Sequence, residues 1–143
     1  MTFTLKSFDK LSAKELYEIL KARMAVFVVE QKCPYQDIDG LDFNAHHLYL
    51  EHDGEIKGYL RILKKDETTA RLGRIITTER GKGYGLDLLK EGITAAVKLY
   101  DPKKIYIEAQ CYAVGFYKKV GFKTCSEPFL DDGIPHVKME LYL

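Results

Sequence analysis

Three glycines crowd the segment Arg80-Gly81-Lys82-Gly83-Tyr84-Gly85, which stands between a β-branched run, Ile75-Ile76-Thr77, and an apolar periodic stretch. This juxtaposition constrains the fold more than any other feature of the chain. The run before it reads as a strand over 71–77. After it, Leu86, Leu89, Ile93, Val97 and Tyr100 recur on one helical face until Asp101-Pro102 breaks the helix. Lys104 to Ala109 then reads as a buried strand, and Ala113 to Val120 as a short helix stopped by Gly121.

The N-terminal half supplies the rest of a sheet. Residues 2–8 suggest a strand. Ser12-Ala13-Lys14-Glu15 forms a capping box, in which serine and glutamate each satisfy a free amide of the first turn. Leu16, Leu20, Met24 and Phe27 follow at helical spacing, which predicts a helix over 12–29. Strands are expected near 46–52 and 56–64, joined at Asp53-Gly54, a strong hairpin signal. Two more are expected near 122–127 and 136–142. The order is an antiparallel sheet first, then strand–helix–strand–helix: a mixed α/β sheet with helices on both faces.

At 143 residues the chain has the length of one domain, expected to span 1–143. With 46% hydrophobic and 30% charged residues it can bury a real core without a disulfide or metal staple. Lys and Arg number 22 against 21 Asp and Glu, so no basic excess points to a nucleic-acid partner. The cysteines, Cys33, Cys111 and Cys125, are odd in number and lack a CxxC spacing, which fits reduced thiols in a cytoplasmic protein. No signal-like or spanning apolar run points to a membrane.

The glycine segment opens a helix, where free N–H groups and a partial positive charge favour an anion. The glycines let backbone approach a bulky anion, and Arg80 and Lys82 add charge. A pyrophosphate suits this description. The dinucleotide fingerprint fails, because Leu86 or Leu88 stands where its third glycine belongs. The P-loop pattern fails as well. A plain flexible turn is the competing reading.

The arrangement Arg80-x-x-Gly83-x-Gly85 resembles the pyrophosphate loop of the GNAT family of N-acetyltransferases, and the element order matches along essentially the whole chain. Ala113-Val114-Gly115-Phe116-Tyr117-Lys118-Lys119-Val120-Gly121-Phe122 resembles the family's A-x-x-F/L-Y-x-x-x-G-F. The strings from Phe27 to Gly40 and from Asp132 to His136 are similar to the ElaA-like branch.

The resemblance implies the acyl-CoA N-acyltransferase fold, a mostly antiparallel sheet splayed at the CoA site. It implies acetyl-CoA as co-substrate, bound through Arg80, Gly81, Lys82, Gly83, Tyr84, Gly85 and Leu86. Ile75, Ile76 and Thr77 would line the groove for the pantetheine arm, because a free strand edge offers amides to pair with it. Gln110 stands where the family carries an asparagine, and Lys119, with Lys118, would meet the 3′-phosphate unless both are simply solvated. Tyr117 resembles the family's general acid, protonating the CoA thiolate; an ordinary core tyrosine is the alternative. Glu30, Glu79, Glu108 and His136 are candidate bases or acceptor contacts, and Asp37, Asp39, Asp42, Asp131 and Asp132 could attract a cationic amine.

The expected activity is transfer of acetyl from acetyl-CoA to a primary amine of a small molecule or peptide. A non-catalytic acyl-CoA sensor on the same fold is the alternative, with hydroxyl acylation a third. No metal is expected: His46 and His52 share a strand face but lie too far apart for one ion. A monomer and a homodimer are both compatible with the sequence.

Overall fold

The computed structural model describes residues 1–31 and 37–143. Its strands are β1 (Thr2–Ser7), β2 (His46–His52), β3 (Glu55–Asp66), β4 (Thr69–Thr77), β5 (Lys104–Gln110), β6 (Lys123–Thr124), β7 (Phe129–Asp131) and β8 (Ile134–Tyr142). Its helices are α1 (Ala13–Arg23), α2 (Tyr84–Tyr100) and α3 (Val114–Lys118). The strands form one sheet in the order β1-β2-β3-β4-β5-β8-β6, with β7 also paired to β8. Every pairing is antiparallel except β4 with β5. A parallel pair needs a crossover, and α2 is that crossover.

Alternation along the strands sends side chains to two helical layers. Leu48, Leu60, Ile62 and Leu72 pack with Leu88, Leu89 and Ala96 of α2. On the opposite face Tyr49, Tyr59 and Ile76 pack with Ile19 and Ala22 of α1 and with Val26 and Phe27 beyond it.

Both helices bury a slightly different stripe from the one the spacing suggests. In α2 the buried residues include Tyr84, Leu88, Gly92, Ala95 and Ala96, whereas Val97 is exposed. The small residues let the helix sit close to the sheet: a Cβ on Gly92 would lie 2.6 Å from Leu60 Cδ2. After Arg23 the α-helix widens into a π-helical turn, Met24–Glu30. Ile19, Ala22, Val26 and Phe27 face the sheet, while Met24 is exposed.

Arg23 also lies on the buried side, at 1% exposure. Its Nε donates to Asp37 Oδ2 at 2.9 Å and its Nη1 to Asp42 Oδ1 at 2.8 Å. Arg61 of β3 pairs with Asp39 at 2.7 Å and with Asp42 at 3.2 Å. Arg74 of β4 pairs with Asp37 at 2.8 Å and Asp39 at 3.1 Å. Asp37, Asp39 and Asp42 are therefore held by arginines and are not solvated charges waiting for an amine. Burial alone would raise the Asp39 pKa, but the hydrogen bonds from Arg61 and from the Leu41 N–H, with the Arg61 and Arg74 charges, hold it well below the usual carboxylate range.

A bulge decides the shape of the centre. Register passes from Tyr59↔Ile76 to Arg61↔Gly73, so Arg74 and Ile75 together oppose Leu60. Arg74 sits at φ 51°. Such a bulge bends its strand. Pairing of β4 with β5 covers only Thr69↔Lys104, Ala70↔Ile105 and Arg71↔Tyr106, and beyond these the strands part.

The C-terminal end holds one strand beyond expectation. Asp132 and Gly133, at φ 50° and 77°, form a two-residue turn joining β7 to β8. Asp53 and Gly54, at φ 52° and 78°, make the same kind of turn between β2 and β3.

Candidate active site

Where β4 and β5 part, a cleft of about 390 Å³ opens through the sheet. Both edges of the gap carry unpaired backbone, because Leu72–Thr77 and Ile107–Gln110 use only their outer neighbours. Ile75 and Ile107 line it. Ile76 contributes no side chain to the cleft: the bulge turns it to the α1 layer, where it is buried on Tyr59 and its neighbours. Thr77 sits at the end of β4, with its Cγ2 3.7 Å from where a Gly85 side chain would begin.

The loop after β4 brings a helix end beside the cleft, and none of residues 80–86 lines it. Gly81 and Gly83 take φ 74° and 78°, values that L-residues other than glycine rarely adopt. Gly83 is the N-cap of α2 and no side chain caps the helix. The first helical bond runs from Asp87 N–H to Gly83 O at 3.3 Å, so the N–H groups of Tyr84, Gly85 and Leu86 precede it. Lys82 is exposed beside them, and Tyr84 is buried. Gly85 is ordinary helix, with the Phe116 ring of α3 3.4 Å from its missing Cβ.

Arg80 pairs with Glu30, its Nε 3.2 Å from Glu30 Oε1. One residue on, Gln31 accepts from Gln110 Nε2 at 3.2 Å. The end of the π-helical turn thus touches both sides of the gap.

Tyr117 lines the cleft from α3 at 9% exposure, with its ring edge-on to Phe116 and Phe122. Burial, with a minor contribution from Tyr112, pushes its phenol well above the ordinary value. Lys119 is exposed at the end of α3 and Lys118 beside it; neither lines the cleft.

On the α1 side the cleft is lined by charged groups. Glu108 accepts from Tyr106 Oη at 2.8 Å and pairs with Arg71 at 3.5 Å. His136 of β8 pairs with Gln110 in register, its Nδ1 2.7 Å from Ile134 O. Asp131 and Asp132 reach the cleft from the β7–β8 turn. Glu79 pairs with Lys57 at 2.9 Å and lies outside the cleft. The sequence reading missed Arg61, Arg71 and Arg74. Their signal was present: Arg61 and Arg71 interrupt apolar strands at alternate positions.

The other histidines each have a local partner. His46 Nδ1 is 3.3 Å from Tyr100 Oη, and His47 lies between Tyr59 Oη and Asp42 O. His52 stands 3.3 Å from Asp53. Among the described residues no cluster suited to a metal ion occurs, and no helix is long and apolar enough to cross a membrane. Cys111 and Cys125 are free thiols; Cys33, with residues 32–36, lies outside the described residues.

Residues 9–143 match the acetyltransferase (GNAT) domain model. Protein ElaA of Escherichia coli strain K12 is 41% identical over 138 residues, covering 92% of this chain and 90% of ElaA. A UPF0039 protein of Schizosaccharomyces pombe is 40% identical over 147 residues, covering 100% of this chain and 98% of its own length. The crystal structure of an acyl-CoA N-acyltransferase from Pseudomonas aeruginosa superposes with a TM-score of 0.92 at 37% identity, covering 99% of both chains. That of Escherichia coli ElaA superposes with a TM-score of 0.91 at 36% identity, covering 98% of both.

Proposed function

We propose, from the premise that this chain belongs to the GNAT acetyltransferase family, that it transfers the acetyl group of acetyl-CoA to a primary amine by direct attack. The observation that carries this reading is a cleft between two free strand edges, lined by Tyr117 and bordered by an uncapped helix N-terminus.

The residues present fit acetyl-CoA. The N–H groups at the start of α2 suit a pyrophosphate, with Arg80 and Lys82 as nearby cations. The edges of β4 and β5 suit the amides of the pantetheine arm, and Gln110 offers a further amide. When bound, acetyl-CoA supplies an activated acyl carbon and a thiolate leaving group.

The chain's own groups handle the protons. Tyr117, kept protonated by burial, directs its hydroxyl hydrogen at the departing sulfur. A thiol titrates near 8.5, well below this phenol, so complete transfer from tyrosine to thiolate is uphill. Tyr117 therefore acts first by hydrogen-bonding the developing thiolate; the neutral amine attacks through its lone pair, becomes cationic at nitrogen and then releases a proton, which balances the one the sulfur takes up. His136 and Glu108 face the acceptor side and are the groups suited to receive that proton, directly or through water. Glu30 is bound to Arg80 and serves at the donor end. A cytoplasmic location and a small-molecule or peptide amine partner belong to the same reading.

The test is incubation with acetyl-CoA and a panel of amines, followed by thiol release and mass spectrometry of the products. An N-acetyl product supports the reading. Tight CoA binding without turnover on any amine would leave an acyl-CoA-binding module in its place.

A further inference from the structure

The α1 side of the cleft carries opposite charges side by side. Arg71 and Tyr106 are the last partners before β4 and β5 separate. At that apex the Arg71 guanidinium and the Glu108 carboxylate stand 3.5 Å apart, with 32% and 23% of their side chains exposed. This separation is long for a charge-assisted contact, and both groups keep open valences toward the cleft. Glu108 is oriented by Tyr106 Oη, and the Arg71 guanidinium carbon lies 5.6 Å from the Tyr106 ring centre.

A second observation extends the cationic half. Arg61 lies on the same sheet face, opposite Gly73 and diagonal to Arg71. It is 3% exposed, and among the described residues its Nε–H has no hydrogen-bond partner. Gly73 leaves space beside it: the first atom of a side chain there would lie 3.8 Å from Arg61 Nε. One wall of the cleft therefore presents the Arg71 guanidinium and the Arg61 Nε–H, the other N–H groups of Arg61 being held by Asp39 and Asp42, and the facing β5 wall presents the Glu108 carboxylate.

We infer that the acceptor is an α-amino acid or a close zwitterionic analogue, held with its carboxylate toward Arg71 and Arg61 and its amine toward Glu108. The inference rests on the amine-acetyltransfer reading above. In an α-amino acid the ammonium and the carboxylate are carried on one carbon, a short separation that suits the close spacing of Arg71 and Glu108. A polycation suits this apex less well, because Arg71, set 3.5 Å from Glu108, would face its remaining charge. Asp131 and Asp132 also line the cleft, from the exposed β7–β8 turn.

The test titrates the protein, saturated with CoA, with matched pairs. Aliphatic, basic, acidic and aromatic α-amino acids are each compared with the amine left when the carboxylate is removed. At least one amino acid should bind roughly tenfold tighter than its decarboxylated partner, the yield of a charge-assisted contact. Arg71→Gln should abolish that preference. Equal or tighter binding of every decarboxylated amine, or a preference that survives Arg71→Gln, overturns the inference. Turnover run in parallel separates the two claims. Acetylation of decarboxylated amines in preference to amino acids contradicts the zwitterion seat and leaves amine acetylation standing. An Arg71-dependent preference without CoA release from any amine supports the seat and removes the acetyltransfer reading.

Discussion

Arg80 of the β4–α2 loop and Glu30 of the π-helical turn form an ion pair between elements 50 residues apart in sequence. Glu30 raises the Arg80 pKa and ties the guanidinium to the turn. A pyrophosphate arriving at the start of α2 would compete with Glu30 for Arg80.

Glu30→Gln should therefore strengthen CoA binding about two- to fivefold, the range expected when an exposed pair of this kind no longer opposes a ligand. Arg80→Ala should weaken it roughly tenfold. Calorimetric titration with CoA reads both. Weaker CoA binding by Glu30→Gln would contradict the competition.

Acid should destabilise the fold through the carboxylates held by arginines and by the first turn of α1. The Ser12 N–H, then Tyr49 Oη, then Lys6 hold Glu15 at about 2, and Asp39 is also depressed. A depressed carboxylate stabilises the fold above its unfolded pKa, and that stability is lost as pH falls toward the folded value. The melting temperature should hold from neutral pH down to about 5 and fall steeply below about 4. Glu15→Gln should flatten part of that slope. A melting temperature independent of pH down to 3 would contradict the account.

Gly92→Ala tests the seating of α2 on the sheet. The new methyl would meet Leu60, which is fully buried and has no room to withdraw. A loss of about 1–3 kcal/mol is expected in denaturant titration. A stabilisation, as helix propensity alone would give, would show that the contact relaxes freely.

Much of this is legible in the sequence. The glycine segment, the Asp53-Gly54 hairpin and the capping box each have a local cause, and each stands where local physics puts it. The stripe of α1 was misread because Arg23 counts as polar in a periodicity. Its burial depends on Asp37 and Asp42, which no spacing rule connects to it. The widening to a π-helical turn keeps apolar residues near helical spacing and leaves no mark on the pattern. The β7–β8 turn was available in Asp132-Gly133, a dipeptide of the same kind as Asp53-Gly54. In the site, the family resemblance puts Ile76 beside Ile75 along the groove, whereas its register with Tyr59 sends the side chain to the α1 layer. The acceptor-side arginines come together only through strand register, and for that reason the sequence pointed to the donor end of the cleft and left the acceptor end open.

The central claim is that Tyr117 assists departure of the CoA sulfur during acyl transfer to an amine. Its ring is packed on Phe116 and Phe122, so Tyr117→Phe keeps the fold. The most direct measurement is steady-state CoA release by Tyr117→Phe against the parent chain on the best amine found. The account predicts kcat lower by about 10²–10³ with KM for acetyl-CoA nearly unchanged; an unchanged kcat would contradict it.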